Sequence, residues 1–348
     1  MNHKEFLGVS TEARPFIVAE AGHNHEGDID VAREMIYKAK EGGADAIKFQ
    51  TIIPGRLVSP SFPITAAYAA EMARASAFSL PFDNFIALKE EAEKVGILFF
   101  STPFDVPSAK MLVSLGIPAF KIGSGQIDLW PMVDIVARAC RPVILSTGAS
   151  TIADVRTAIG RIRAGWGRMN WQGQLVLLNC TSMYPTPSEH VHLRRIQELH
   201  RVTRLVGFSD HTEGIQASVL AAVMFDTFMI EKHFTLDKNF SDFCDHKISA
   251  TAEDLKDMIR LIMEGKAMIG SETRPVLDDE NQSLIRHSAC AARALPEGHT
   301  LNRDDIVWLR PQHGVKPGEE RQIFGKNLKV AKEDGETIKL DDVCSSVE

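Results

Sequence analysis

The sequence predicts a (β/α)₈ barrel followed by a small β-rich module. Eight short, nearly continuous apolar runs recur up to Thr235, each ending in small polar or charged residues. Helix-forming stretches separate them. That alternation is what a ring of parallel strands, each covered on its outer face by a helix, requires. After Gly270 the pattern changes to an internal repeat.

The strand-like runs are FIVAEAG (16–22), AIKFQT (46–51), ILFFSTPF (97–104), AFKIGSG (119–125), PVILSTG (142–148), LVLLNCTS (175–182), LVGFSDH (205–211) and MIEKHFT (229–235). Between them, Asp30 to Lys40 reads as a helix closed by Gly42-Gly43, and Asp83 to Val95 as one closed by Gly96. Thr251-Ala-Glu-Asp254 resembles a capping box ahead of a stripe of Leu255, Met258, Ile259 and Ile262 at helical spacing. The long gap from Ile52 to Pro81, with Met72 and Phe78, reads as an inserted lid-like excursion.

The expected division is a barrel over 1–270, a linker over 271–285 and a module over 286–348. Within the module, Ala294, Gly298, Thr300, Leu301, Asp304, Asp305 and Ile306 recur as Ala331, Gly335, Thr337, Ile338, Asp341, Asp342 and Val343, offset by 37 residues (331 − 294). Seven positions in register predict a true duplication and a pseudo-symmetric fold, too short for a solenoid.

The chain of 348 residues is 44% hydrophobic, enough for a full core. A formal net charge of −7 and no basic stripe argue against nucleic acid. The N-terminus has no apolar stretch of a secretory signal, and no apolar run is long enough to cross a bilayer. Five scattered cysteines show no metal-like or disulfide-like spacing. A cytoplasmic protein without membrane or nucleic-acid partners is expected.

The chemistry centres on His211 and His233, 22 residues apart and each at the end of a strand-like run. That spacing is one strand–helix step, so both belong at the carboxyl rim of neighbouring strands, where barrel active sites form. Two imidazoles with nearby carboxylates suggest an open divalent-metal site. Period-two geometry puts Ser209 with His211, and Glu231 with His233, on one face. Lys48 and Lys121 lie inside apolar strands, so their ammonium groups need partners. The barrel mouth and an anionic substrate are expected; an imine-forming lysine and a structural ion pair are the rivals. Strand-end hydroxyls at Thr102, Ser124, Ser146, Thr181, Ser182 and Ser209 would suit a phosphate-bearing ligand. Glu20 suits acid–base work. A solvated loop is the bland reading of His23 and His25, and the expected one for His25. Gln50 shares a face with Lys48, Tyr184 sits in a YPTP loop, and Asp245 lies just past the last strand.

In this order, AEAGHNHEGD, IKFQT, STPF, KIGSG, ILSTGAS, CTSMYPTP, GFSDHT and EKHFT resemble the sialic acid synthase family. That family includes N-acetylneuraminate, legionaminate and pseudaminate synthases and spore coat polysaccharide protein E-like proteins. The resemblance covers nearly the whole chain, and the C-terminal part resembles its antifreeze-like (SAF) domain. It implies condensation of phosphoenolpyruvate with an open-chain N-acetylated amino sugar and water. By the same resemblance His211 and His233 bind Mn²⁺ or Mg²⁺, and Lys48, Thr102, Lys121, Ser124, Ser146 and Ser209 hold phosphoenolpyruvate. Glu20 handles water or protons, and Gln50, Tyr184 and Asp245 contact the sugar. Arg310 reaches the active site of a partner subunit in a domain-swapped homodimer.

Four features depart from the family pattern. Gln126 stands where a carboxylate is usual, and an amide cannot take up a proton as a carboxylate can. Ser182 replaces an Asn found in some members, Phe243-Cys244 replaces Gly-Pro, and Arg310 opens RPQHG instead of RPGxG. Three of these touch the expected sugar side, Gln126 and Ser182 among the substrate-binding positions. Two other readings stand beside the synthase: a class I aldolase using Lys121 or Lys48, and a non-catalytic sugar-binding or assembly protein on the same scaffold.

Overall fold

The computed structural model describes residues 4–53, 55–57, 59, 65–270 and 279–344. Two compact units divide it, Met1–Ile269 and Gly270–Glu348.

The first unit opens with a short hairpin, β1 (Glu5–Phe6) and β2 (Val9–Ser10). Eight parallel strands follow: β3 (Phe16–Gly22), β4 (Ala46–Thr51), β5 (Leu98–Pro103), β6 (Phe120–Ile122), β7 (Val143–Ser146), β8 (Leu175–Asn179), β9 (Val206–Asp210) and β10 (Met229–His233). Each falls inside one of the eight runs read from the sequence. They pair in the order β5-β4-β3-β10-β9-β8-β7-β6. β5 and β6 lie side by side without a hydrogen-bonded ladder, so the barrel is nearly closed.

Helices α1 (Ile29–Glu41), α3 (Phe82–Val95), α4 (Val106–Leu115), α5 (Trp130–Arg138), α6 (Ile152–Arg168), α7 (Arg195–His200), α8 (Gln216–Phe225) and α10 (Ala252–Ile269) alternate with the strands. Their ends follow the expected chemistry. Asp28 caps α1 by accepting from Asp30 N and Val31 N, and Gly96 ends α3 in the left-handed region at φ 73°. Thr251 and Asp254 bond reciprocally at the start of α10 (2.9 and 3.3 Å). In the expected lid-like excursion, α2 (Ala66–Ala77) is helical. Residues 54, 58 and 60–64, and the side chain of Met72, lie outside the described residues. Phe78 packs edge-on against Phe243 (5.4 Å).

Strand alternation splits the barrel into two cores. Ile17, Ile47, Phe99, Ile122, Leu145, Leu177, Phe208 and Ile230 face outward and pack under the helices. Phe16, Val18, Ala46, Phe100, Ala119, Ile144, Val176, Leu178 and Met229 fill the lower interior. The hairpin closes that end: Phe6 makes edge-on contacts with Phe16, Phe228 and Phe100 at 5.1, 5.9 and 6.5 Å. Two residues further along six of the strands, the inward position turns polar. Val18 gives way to Glu20, Ala46 to Lys48, Phe100 to Thr102, Ala119 to Lys121, Ile144 to Ser146 and Met229 to Glu231. This step from apolar to polar places the well at the carboxyl end.

A third strand lysine takes the other face. Lys232 is buried, its Nζ donating to the Thr212 carbonyl (2.5 Å) and lying 3.4 Å from Asp210 Oδ2. Asp210 also accepts from Thr212 N (2.8 Å) and Ser218 Oγ (2.6 Å). An outward lysine is therefore tolerated here because β9 and the turn after it supply its partners, while Ser218 of α8 holds Asp210.

The second unit begins with α11 (Asp279–Ile285), in the latter part of the stretch read as linker; residues 271–278 are outside the described set. Strands β11 (Ser288–Ala291) and β12 (Ile306–Leu309) pair antiparallel. The duplication has a structural counterpart. Leu295 and Lys332, equivalent under the offset of 37, exchange backbone hydrogen bonds with each other (both 2.8 Å). The pairing Ala291 with Ile306 recurs as Leu328 with Val343. Turns at Arg303–Asp305 and Leu340–Asp342 each begin with a backbone N–H bonded to the last aspartate, from Asn302 (2.9 Å) and from Lys339 (2.7 Å). The halves thus surround a local pseudo-two-fold axis and share one core, including Ala291, Leu295, Leu301, Leu328, Ile338 and Val343.

Phe6→Ala is expected to cost about 3–5 kcal/mol, the range for emptying a buried aromatic site. A denaturant titration followed by far-ultraviolet circular dichroism checks this; an unchanged midpoint would deny the hairpin a role in closing the barrel.

Candidate active site

Register brings the expected residues together. β10 sets His233 beside Glu20 and β3 sets Glu20 beside Lys48, while Glu231 pairs with Ser209 and Gln50 with Thr102. A cavity of about 70 Å³ at the carboxyl mouth is lined by Glu20, Lys48, Gln50, Thr102, Lys121, Ser124, Ser146, Tyr184, Ser209, His211, Glu231 and His233, with Phe104, Gly123 and Cys180.

The floor of this well is a chain of alternating charge. Lys48 Nζ lies 2.9 Å from Glu20 Oε2 and 3.1 Å from Glu231 Oε2. Lys121 Nζ lies 2.9 Å from Glu231 Oε1. Polar neighbours complete it: Lys48 donates to Thr102 Oγ1 (3.1 Å), Ser209 to Glu231 Oε1 (2.9 Å) and Gln50 Nε2 to Glu20 Oε1 (2.9 Å). The two Oε2 atoms facing Lys48 are in charge contact but lack a well-directed hydrogen bond. Both lysines occupy the mouth, as read from the sequence, but Glu231 and Glu20 balance them. Glu231 as that counter-charge was missed, although its inward position was legible.

Burial resists ionisation of Glu231, yet Lys121 and Lys48 outweigh it and hold the carboxyl below the usual carboxylate range. Glu20 moves the other way: burial raises its pKa, and Lys48 only partly offsets that. Burial also works against charged Lys48, but Glu20 and Glu231 outweigh it and raise its pKa. For Lys121, burial dominates and lowers the pKa.

Above this floor the His211 and His233 rings stand 5.4 Å apart, centre to centre. The Thr181 carbonyl lies 2.8 Å from His211 Nδ1 and can only accept, so Nδ1 carries the proton and Nε2 keeps its lone pair. Burial pushes the His211 pKa down to about 4 and that of His233 well below its ordinary value, so both rings are neutral near pH 7. Among the described residues, His233 Nδ1 is buried without a hydrogen-bond partner, with Asp245 Oδ2 at 3.6 Å. Two neutral nitrogens, one orphaned, form a donor set that could hold a divalent cation completed by water or substrate oxygens. Among the described residues, no group of three or more His, Cys, Asp and Glu is gathered as a metal cluster. Tyr184 lies over His211 (4.3 Å) and edge-on to His233 (5.9 Å).

The remaining expected residues sit around the rim. Ser182 Oγ is 2.9 Å from Ser124 Oγ. Asp245 opens helix α9 (Cys244–Ile248), anchored through its carbonyl, which accepts from Ser249 Oγ (2.6 Å). Gln126 belongs to the 3₁₀ turn after β6 and folds back over Gly123; it is not among the residues lining the cavity. Arg310 is an exposed residue of the second unit.

His23 and His25 are not in a solvated loop. Both are buried, His25 against Phe49 (5.8 Å) and with Nδ1 accepting from Gly27 N (3.1 Å). The turn after β3 packs against Phe49 of β4 and is tied through Asn24 to Phe234 and Ser249, which carries both rings inside and which local polarity did not reveal. Among the described residues, no helix is long and apolar enough to cross a membrane.

A polar, charge-balanced well at the carboxyl ends of the strands lies where enzyme sites of parallel barrels form. The NeuB family model matches residues 35–274. The chain is 37% identical over 334 residues to N,N'-diacetyllegionaminic acid synthase of Legionella pneumophila, covering 93% of each. It is 32% identical over 337 residues to N-acetylneuraminate-9-phosphate synthase of Homo sapiens, covering 93% of this chain and 91% of that one. The crystal structure of the N-acetylneuraminic acid (sialic acid) synthetase of Leptospira borgpetersenii serovar Hardjo-bovis, in complex with citrate, is similar at TM-score 0.68 and 31% identity, over 77% of this chain and 90% of that one. The chain belongs to the NeuB family and is an enzyme of the sialic acid synthase type.

Burial pushes the His25 pKa down to about 3. Its folded-state value is below the unfolded one, so its contribution to stability is complete above pH 6.5 and is lost as pH falls toward 3. Between pH 7 and 5 this amounts to about 2 kcal/mol. His25→Asn, which keeps an acceptor for Gly27 N, should lose that part of the slope; denaturant midpoints at the two pH values measure it.

Proposed function

We propose that this barrel joins phosphoenolpyruvate to the open-chain form of an N-acetylated amino sugar and water, giving a sialic-acid-like nonulosonate and phosphate. The carrying observation is one buried well that holds two lysines, two neutral imidazoles and a ring of hydroxyls. The relatives' names support a nonulosonate product. A role in polysaccharide biosynthesis in the cytoplasm follows from the same reading, and five cysteines without disulfides fit that compartment.

In this reaction the donor's methylene carbon bonds to the aldehyde carbon, and the aldehyde oxygen ends as a hydroxyl. Water takes the place of the departing phosphate at the enol carbon. Lys48 and Lys121 neutralise the donor's phosphate and carboxylate, exchanging part of their contact with Glu20 and Glu231 for the substrate. Thr102, Ser124, Ser146 and Ser209 add hydroxyl donors. Glu20, its pKa raised by burial, is the acid–base group beside the reacting oxygens. Gln50, Gln126, Ser182, Tyr184 and Asp245 form the sugar side. A divalent ion, Mn²⁺ or Mg²⁺, held by His211 and His233 would supply Lewis-acid polarisation of the aldehyde. The C-terminal unit acts as an antifreeze-like (SAF) domain whose Arg310 serves the partner's barrel in a swapped homodimer.

An aldolase reading draws on Lys121, whose pKa burial lowers; Glu231 at 2.9 Å favours the ammonium form instead. Borohydride in the presence of pyruvate should leave the protein mass unchanged, and a trapped adduct would transfer the argument to the aldolase. Phosphate release with Mn²⁺ across a panel of N-acetylated hexosamines, with the product identified by mass spectrometry, is the direct assay. Silence across the panel would favour a non-catalytic binding protein.

His233→Ala is expected to lower turnover by about 10³-fold or more, several kcal/mol of charge stabilisation, with the circular dichroism unchanged. Near-normal turnover would remove the metal role. Arg310→Ala should also be impaired, and mixing it with His233→Ala should restore part of the activity through hybrid dimers; a mixture as inactive as its components would argue against sharing between chains.

A further inference from the structure

The barrel's opposite, amino-terminal end carries a second cleft that the proposed reaction does not use. It has a volume of about 340 Å³, in the range of small-ligand sites. It lies between the end of α6, the start of β8 and the turn leading into β9, lined by Arg163, Trp166, Gly173, Thr203 and Arg204 among others. No carboxylate lines it. Arg163 and Arg204 have no acidic partner among the described residues.

Trp166 adds an independent observation. Its side chain is buried, and among the described residues its indole Nε1–H has no hydrogen-bond partner. A buried donor left unmatched costs about 1–3 kcal/mol and calls for an acceptor. Trp171 packs edge-on against Trp166 (5.0 Å) and lies so close over Gly173 that a Cβ there would collide with its ring. The aromatic wall therefore has a defined shape. A neighbouring cavity of about 510 Å³ shares Arg204 and Leu205, but its acids are matched: Glu12 by Lys4 (3.0 Å) and Asp226 by Lys266 (2.8 Å). The surplus of positive charge lies with Arg163 and Arg204.

We propose that this cleft is a binding site for a small oxyanionic ligand, a phosphorylated or carboxylated metabolite. Two guanidinium groups match such oxygens in bidentate geometry, and Trp166 lines the same cleft. The site is separate from the catalytic mouth. Strands β8 and β9 connect them, beginning beside the cleft and leading to Thr181 and His211, which share a hydrogen bond.

The test follows the indole N–H signals of full-length, ¹⁵N-tryptophan-labelled protein by NMR. The Trp166 signal is assigned by its disappearance in Trp166→Phe. Inorganic phosphate and citrate are titrated separately, with sodium chloride at matched ionic strength as the control. A saturable shift of the Trp166 signal with either anion, and none with chloride, is expected. A stronger response to phosphate assigns a phosphorylated ligand, and a stronger response to citrate a carboxylated one. Arg204→Met and Arg163→Met, both at exposed positions, should each raise the midpoint by about tenfold or more. No saturable shift with either anion, or midpoints unchanged in both variants, would overturn the proposal. None of these readings depends on catalysis, so the outcome is independent of the reaction proposed for the mouth.

Discussion

The run of opposite charges from Glu20 through Lys48 and Glu231 to Lys121 governs the mouth of this barrel. Each ion removed from water costs several kcal/mol, and only contact with opposite charges offsets that. The four groups are mutually neutral when all are ionised. Burial raises the Glu20 pKa while the lysines hold Glu231 ionised. A proton on Glu20 therefore leaves the run with a net positive charge, directed at the space a substrate would occupy. A charge-balanced resting well and an anion-receptive one differ by a single proton.

That balance depends on what lies beneath it. Phe6, Phe16, Phe100 and Phe228 close the lower barrel against water. With the apolar layer in place, the polar layer is solvated only from the mouth, so its electrostatic interactions are strong. Outside the wall, Asp210 and Lys232 satisfy one another and the turn after β9. The chain segment entering His211 is thus fixed from behind, while the Thr181 carbonyl sets the ring's tautomer from the side.

The strands were legible because each combines an apolar run with a polar end, and period two then placed Lys48, Lys121, His211 and His233 inward. The duplication was legible because Gly298 and Gly335, like Asp305 and Asp342, recur at one offset. What escaped depended on distant segments meeting. Glu231 acquires its meaning from lysines 183 and 110 residues away in the chain (231 − 48 and 231 − 121). His23 and His25 look like loop residues until the turn after β3 folds over Phe49. The hairpin around Phe6 is too short to show a pattern. The outward ion pair of Lys232 left no local signal, because its partners come from β9 and the segment after it.

The pseudo-two-fold axis of the second unit passes between Leu295 and Lys332, so each half offers the other the same pairing edge that it needs. Such an edge is self-complementary. A peptide holding one copy would find its missing half in another molecule of itself, and an ancestral single-copy homodimer, fused end to end, would yield the module seen here. After fusion the halves are free to diverge: Asp305 meets His299 and Arg293, whereas Asp342 meets Lys332.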